Sequence, residues 1–378
     1  MHYEKISDFL SLHEAMRRSL CGKRMKTEAA QFNLNASIEL ARLADELQQG
    51  TYQPEKHYCF TLTRPKTRTI YAPPYRDRVV LRSLCDNALA DIIGATLIEA
   101  NAACQKGKGS HFTLDLFESF IADIRDTHGR DFYALKCDIR QFFPSIPHRQ
   151  LKEKLLLAFH EYGVDDERFV RLCFQFIDYF HTPGTPQRGL ALGNQSSQWY
   201  GLLYLDSVDK LVTQELGIPH YIRYMDDFIV LHESKAHLQE VKARITEHVE
   251  DDLGLFLNSK TQITHMKNGV EAIGWRYIID KKTGYIVRKI RNSTRTRMVR
   301  YVRKLSKNMG NDPIKRAELD TIVNSYLAHL YHGNTYRLRE KLLELHTPPN
   351  PYQPSRPLRG AALERYRAQQ DLKNALNE

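Results

Sequence analysis

The chain has 378 residues, of which 42% are hydrophobic and 26% charged, with 16 Phe and 20 Tyr. That is ordinary globular composition, enough for more than one core and too aromatic for a disordered chain. No run of about 18 apolar residues occurs, and the first residues lack a basic stretch followed by an apolar one, so neither a membrane span nor a secretory leader is expected.

In chain order, residues 1–57 read as a helical N-terminal extension. Leu34, Ile38, Leu40, Leu43 and Leu47 recur at near-helical spacing, and Gly50 ends the run. Tyr58–Leu62 and Thr69–Ala72 are short strand-like runs before Pro73-Pro74, and residues 78–100 return to helix. Phe132–Cys137 is a buried strand leading into Asp138, with helices near 148–160 and 166–180. Pro183, Gly184, Pro186 and Gly189 break the chain before a long helix over 196–216. Two apolar strands over 219–232 flank Asp226-Asp227. Leu238, Val241, Ile245 and Val249 mark an amphipathic helix over 235–250, and a second strand pair follows at 261–279. Residues 346–378 form a Pro-rich linker and a polar tail.

The net charge of +10 is concentrated. Residues 281–316 hold 13 Lys and Arg and a single acid, Asp312, which is +12, so the rest of the chain carries −2. A stripe this one-sided, expected to be largely helical, is an electrostatic footprint for a polyanion. The six cysteines, at 21, 59, 85, 104, 137 and 173, form no CxxC pair and read as reduced, buried thiols, which fits a cytoplasmic location. Gly107-Lys108-Gly109-Ser110 lacks the first Gly of a phosphate loop and is set aside.

The chemistry is expected at Tyr224-Met225-Asp226-Asp227. Two adjacent carboxylates sit at the turn of an otherwise apolar hairpin and repel, which a divalent cation would relieve. Asp138 ends another apolar strand. Three carboxylates at strand ends can hold two Mg²⁺ ions, with Mn²⁺ as the alternative, in the arrangement that runs in-line phosphoryl transfer.

These residues resemble a reverse transcriptase, through ordered motifs from about 60 to 345. Arg68-Thr69-Ile70-Tyr71-Ala72-Pro73 with Asp77-Arg78-Val79-Val80 is similar to the fingers block, and Ala103–His111 to the next. Lys136-Cys137-Asp138-Ile139-Arg140-Gln141-Phe142-Phe143 resembles the first catalytic motif and Tyr224–Asp227 the second. Leu255–Thr261 and Gly269–Trp275 resemble the last palm motifs. The resemblance implies an α+β right-hand polymerase fold: fingers and palm with an antiparallel sheet over 58–280, and a basic helical thumb over 281–345.

The resemblance also implies roles. Asp138, Asp226 and Asp227 would be catalytic and bind the metals, with the Ile139 carbonyl as a further ligand. Phe143 would lie beneath the nucleotide sugar and exclude a 2′-hydroxyl. Lys66 and Arg68 (with Arg64) would meet the triphosphate, and Lys260 the primer end or triphosphate. Arg288, Arg291, Arg295, Arg300 and Lys304 would track an RNA–DNA duplex. Where most of the family carries Gln-Gly-x-x-x-Ser-Pro near the nucleotide base, this chain has Leu192-Gly193-Asn194-Gln195-Ser196-Ser197-Gln198. That departure, with Ser325–His329, resembles the enzymes of diversity-generating retroelements, near which several antiviral defence-associated reverse transcriptases lie. Leu192, Gly193 and Gln198 would line the nucleotide pocket, with Leu192 reading equally as core packing. The partners implied are a structured template RNA, dNTPs, the RNA–DNA duplex, and an accessory protein or a second copy of the chain, with no membrane. The alternatives are a defence-associated reverse transcriptase acting with a non-coding RNA, a catalytically silent RNA-binding protein, and an RNA-dependent RNA polymerase, which an aromatic Phe143 disfavours.

Overall fold

The computed structural model describes residues 2–63, 67–310 and 312–346, so Arg64, Lys66 and, apart from His346, the expected linker and tail lie outside the described residues. The chain divides into two compact units, one ending at His265 and one beginning at Met266.

The first unit opens with α1 (His2–Ser7), α2 (Phe9–Ser19), α3 (Thr27–Leu34) and α4 (Ala36–Gln48). Leu40, Leu43 and Leu47 of α4 are buried, whereas Leu34 and Ile38 are exposed, contrary to expectation. With 3.6 residues per turn, Ile38 falls on the side of α4 opposite those three leucines, and Leu34 belongs to the preceding helix. The extension is part of the core rather than an appendage. The Tyr3 hydroxyl donates to the Leu47 carbonyl (2.6 Å), Tyr75 to Met16 (3.0 Å) and Ser83 to Ile6 (2.9 Å).

β1 (Tyr58–Leu62) and β2 (Arg68–Ala72) pair as an antiparallel hairpin with Leu62 opposite Arg68. α5 (Tyr75–Leu84), a π-helical turn (Cys85–Leu89) and α6 (Ala90–Thr96) follow, then α7 (Ser110–His128), β3 (Tyr133–Asp138), the short turn α8 (Phe142–Ser145), α9 (His148–Glu161) and α10 (Glu167–Asp178). The expected long helix over 196–216 is three pieces: α11 (Gln195–Tyr204), α12 (Asp206–Lys210) and a π-turn (Leu211–Glu215). β4 (Tyr221–Tyr224), β5 (Asp227–His232), α13 (Lys235–Glu247) and β6 (Gln262–His265) complete the unit. Ser234 caps α13 by accepting from the His237 N–H (3.2 Å), and Leu238, Val241 and Ile245 are buried as the periodicity predicts.

β4, β5, β3 and β6 form an antiparallel four-stranded sheet in that order. Its central strand β5 buries Phe228, Ile229, Val230 and Leu231, a continuous apolar run because both faces are covered. Of the stretch 261–279, where a strand pair is expected, β6 pairs instead with β3, and an antiparallel pair does form over 270–279.

In the second unit β7 (Val270–Ala272), β8 (Trp275–Ile279) and β9 (Ile286–Ile290) form an antiparallel three-stranded sheet. α14 (Asn292–Met309), α15 (Pro313–Leu330) and α16 (Tyr336–His346) follow. The basic segment therefore begins as a strand, and the division lies at 265/266 rather than at the expected 280/281. Of the six cysteines, Cys85, Cys137 and Cys173 are buried, but Cys21, Cys59 and Cys104 are exposed, and none forms a disulfide. Among the described residues no helix is long and apolar enough to cross a membrane.

Candidate active site

The site is built on β3 and the β4–β5 hairpin. Their antiparallel register places Asp138 directly opposite Asp227, while Tyr224 pairs with Asp227 across a two-residue turn, Met225-Asp226. Asp138 is thus brought to the same end of the sheet as the adjacent pair Asp226-Asp227, far from it in sequence. Met225 has φ +59, a conformation that side chains other than glycine adopt at a cost of order 1–3 kcal/mol. A turn in that state persists only if its surroundings hold it.

Burial first, and then the Asp138 and Asp227 charges, push the Asp226 carboxyl above its usual pKa; its own backbone N–H and Arg68 pull it back. Asp227 has a compensating cation, Lys136, whose Nζ donates to Oδ2 at 3.1 Å. The Asn258 N–H donates to the Asp138 carbonyl (2.7 Å), and Ile139 bridges to Leu257, so the Leu255–Thr261 segment buttresses the end of β3. Lys260 is exposed on that segment, its N–H bonded to the Asn258 side chain (3.1 Å).

The donor set fits hard divalent cations, which take carboxylate and carbonyl oxygens. The Asp226 carboxyl is raised chiefly by burial, with the Asp138 and Asp227 charges adding to it, and a bound cation would offset both. Among the described residues, however, no group of three or more His, Cys, Asp or Glu side chains is drawn together as a metal site. The fold thus brings the three residues to one end of the sheet without drawing their side chains into a closed cluster.

Around the carboxylates, Gln141 turns the chain at φ +47 into the short helical turn Phe142–Ser145. Phe142 is buried and Phe143 half-buried, with ring centroids 5.1 Å apart. The two rings lie on a helical turn, where Phe143 is the more exposed of the pair. Both rings abut Gly201 of α11, where a Cβ would stand 3.1 Å from Phe142 and 3.2 Å from Phe143.

Leu192 is half-buried and outside the apolar core, and its carbonyl accepts from the Tyr71 N–H of β2 (3.0 Å). Gly193 has φ +135, and a Cβ there would lie 2.9 Å from the Tyr71 carbonyl, so only glycine allows this approach. The Leu192–Gln198 segment is thereby strapped to the hairpin that carries Arg68. Gln198 is exposed, with Oε1 3.5 Å from Cys104 Sγ, which itself lies 3.8 Å from Met225 Sδ.

Sequence reasoning missed what holds the hairpin. Arg223 and Asp209 are both buried and form a two-pronged pair, Nε–Oδ1 and Nη2–Oδ2 each 2.6 Å. The Tyr221 hydroxyl also donates to Asp209 (2.6 Å), and Arg223 Nη1 donates to the Met225 carbonyl (3.1 Å). The available signal was a charge inside the apolar run Tyr221-Ile222-Arg223-Tyr224, which demands a buried partner.

In the second unit α14 buries Met298 and Val302 and exposes Arg295, Arg300 and Lys304, as a polyanion-binding face requires. Arg291 is ion-paired to Glu271 (3.2 Å). Arg288 departs from expectation: it is buried, donates to the His332 carbonyl (3.0 Å) and lies over the Tyr277 ring, so its charge braces this unit rather than facing a duplex.

The family model for reverse transcriptase (RNA-dependent DNA polymerase) matches residues 56–300, taking in all three carboxylates. The chain belongs to the reverse transcriptase family. Its α+β architecture is the right-hand polymerase fold. No curated protein matches the sequence. Solved telomerases are similar: that of Candida tropicalis truncated from its C-terminal domain is 14% identical, over 65% of this chain and 58% of that one, with a TM-score of 0.47. That of Candida albicans with a TWJ fragment of telomeric RNA is 11% identical, over 80% and 61%, also at 0.47. The chain spans less than two thirds of either, and at these values neither likeness bears on what this reverse transcriptase copies.

Proposed function

We propose that this chain is an RNA-directed DNA polymerase that copies a cognate structured RNA into cDNA, in a retroelement of the diversity-generating type. The observation that carries the polymerase reading is the placement of Asp138 opposite Asp227, with Asp226 in the adjoining turn. Asp138, Asp226, Asp227 and the Ile139 carbonyl would hold Mg²⁺, which supplies charge neutralisation at the attacking and leaving oxygens. Arg68, whose charge favours the ionised Asp226 carboxyl, would meet the incoming triphosphate, with Lys66 and Lys260 as further cations. Phe143 limits the space at the sugar. Leu192, Gly193 and Gln198 border the nucleotide, where Leu192 offers shape but no hydrogen bond. Arg291, Arg295, Arg300 and Lys304 bind the duplex backbone.

The retroelement reading is supported by Leu192 in place of a hydrogen-bonding residue, since looser base discrimination suits error-prone copying. A defence-associated enzyme acting with a non-coding RNA against phage shares that feature. The RNA co-purifying with the protein, sequenced with any attached cDNA, separates the two. Six cysteines without a disulfide support a reducing, cytoplasmic setting.

The test of activity is primer extension on an RNA template with dNTPs and Mg²⁺. The wild type extends; Asp226→Ala with Asp227→Ala does not, while RNA binding changes little because the basic unit supplies affinity. Extension by the double variant refutes the assignment.

A further inference from the structure

A buried ion pair explains how the strained carboxylate turn is held, and this rests on the polymerase reading above. Arg223 lies on β4, immediately before Tyr224-Met225-Asp226-Asp227. Its side chain is wholly buried, as is Asp209 of α12. Each Arg223 guanidinium nitrogen has an acceptor. Nε and Nη2 grip the two Asp209 oxygens (2.6 Å each), Nη2 also reaches the Leu202 carbonyl (3.0 Å), and Nη1 reaches the Met225 carbonyl (3.1 Å). Asp209 is held in turn by the Tyr221 hydroxyl (2.6 Å) and by Asn101 Nδ2 (3.4 Å).

The Arg223 backbone is fixed as well. Its N–H donates to the Ala100 carbonyl (3.1 Å), and its carbonyl accepts from the Ala102 N–H (3.3 Å). The segments around 101, 202–209 and 221–225 therefore converge on Arg223 and its partner Asp209.

A fully desolvated ion pair is a poor source of stability, since its desolvation offsets most of its attraction, and apolar groups of equal volume often serve as well. What this pair does that apolar packing cannot is bond the carbonyl of Met225. That residue sits at φ +59, and its successor is Asp226. A planar fork with fixed donor directions sets the position of the turn, where a methylene surface would let it relax.

We propose that Arg223, itself fixed by Asp209 and Tyr221, is a positioning residue that sets the Met225-Asp226 turn, and with it the metal-binding geometry of Asp226. Arg223 touches neither the nucleotide nor the metal in this assignment; it acts through the Met225 carbonyl.

Removing one partner alone leaves a buried charge and endangers folding, so two milder variants carry the test. Arg223→Lys keeps the charge and loses the fork. The triple change Arg223→Met, Asp209→Leu, Tyr221→Phe removes the polar set without stranding a charge. Melting temperature, kcat and KM for dNTP, and the Mn²⁺ midpoint are measured for each. Fe²⁺-directed hydroxyl-radical cleavage of the chain near Asp226 reports metal binding without turnover. The expected result is a loss of about 10- to 100-fold in kcat or in metal affinity, the range for partners that orient metal ligands, with KM for dNTP unchanged and cleavage near Asp226 weakened. Either folded variant with wild-type kcat, metal midpoint and cleavage overturns the proposal, as does a fall in melting temperature alone, which would make the pair scaffolding. Should the wild type itself extend no primer, the polymerase reading falls, while the cleavage pattern still reports whether Arg223 sets the site.

Discussion

Phe143 is the residue whose two roles, sugar gate and packing, make the most separable predictions. The structure supplies an internal control, because Phe142 and Phe143 are neighbours on one helical turn, both against Gly201, and differ in exposure. Phe142 is buried at 3% exposure, so Phe142→Ala should cost the full core value of about 3–5 kcal/mol. Phe143 is more exposed than Phe142, so Phe143→Ala should cost less, roughly 2 kcal/mol, or about 4–8 °C in a unit of this size. Its effect on selectivity should be the larger one. Opening the space beneath the sugar removes a steric barrier worth on the order of 1–3 kcal/mol, which raises ribonucleotide over deoxynucleotide incorporation by about 10- to 200-fold. Single-nucleotide insertion with matched rNTP and dNTP, run below the melting temperature of both variants, measures the ratio. Phe142→Ala should lose stability and leave the ratio unchanged. If Phe143→Ala leaves the ratio unchanged, or if both variants shift it equally, the ring is packing and the gate assignment is wrong.

Leu192→Gln should narrow the error spectrum of the cDNA, chiefly at one template base, by about 10-fold or more where a hydrogen bond forms; a lower melting temperature with an unchanged spectrum refutes the pocket role. Replacing Arg300 and Lys304 of α14 with Ala should reduce the slope of log K against log salt by about 0.7–0.9 for each phosphate no longer neutralised, in a binding titration from low to moderate salt; an unchanged slope means this face does not meet the duplex. Asp77 tests pH dependence. Its carboxyl, buried beneath Tyr52 (2.7 Å) and the Glu55 N–H (2.7 Å), is pushed up to about 6 by burial. Because the folded value is raised, the stability contributed by the protonated form is present below about 4 and is lost as pH rises through 6. Asp77→Asn, which does not titrate, should therefore gain on the wild type by up to about 3 kcal/mol between pH 4 and 7 in denaturant unfolding, and a pH-independent difference refutes this.

Much of the site was legible because it lies on short-range pattern. The apolar runs around Asp138 and Asp226-Asp227 gave the strands, and the hairpin followed from their spacing. The pairing of β6 with β3 was not legible, because nothing local distinguishes a strand that returns across more than 120 residues from one that pairs with its neighbour. β9 was hidden by its charges: Lys281, Lys282, Arg288 and Lys289 drew attention to the polyanion, while Tyr285-Ile286-Val287 carried an ordinary β signal. Arg288 was misread for the same reason, since a count of cations does not say which of them has a carbonyl and an aromatic ring to cover it.

The same limit explains why the site's electrostatics could be read only in part. The sequence shows three acids and implies their repulsion; the structure shows that the repulsion is shared unequally. Asp227 is on a strand, beside Lys136, which follows from the shared face of β3 and β5. Asp226 is on the turn, where burial and both neighbouring acids raise its carboxyl. Asp226 thus carries its burial without the paired lysine that Asp227 has. The structure places its fork of fixed donors, Arg223, under the residue before Asp226 and not under Asp227. An acid that a strand and a lysine already hold needs no further brace, whereas one on a strained two-residue turn does. The position of Arg223 is thus a consequence of where the turn falls between β4 and β5.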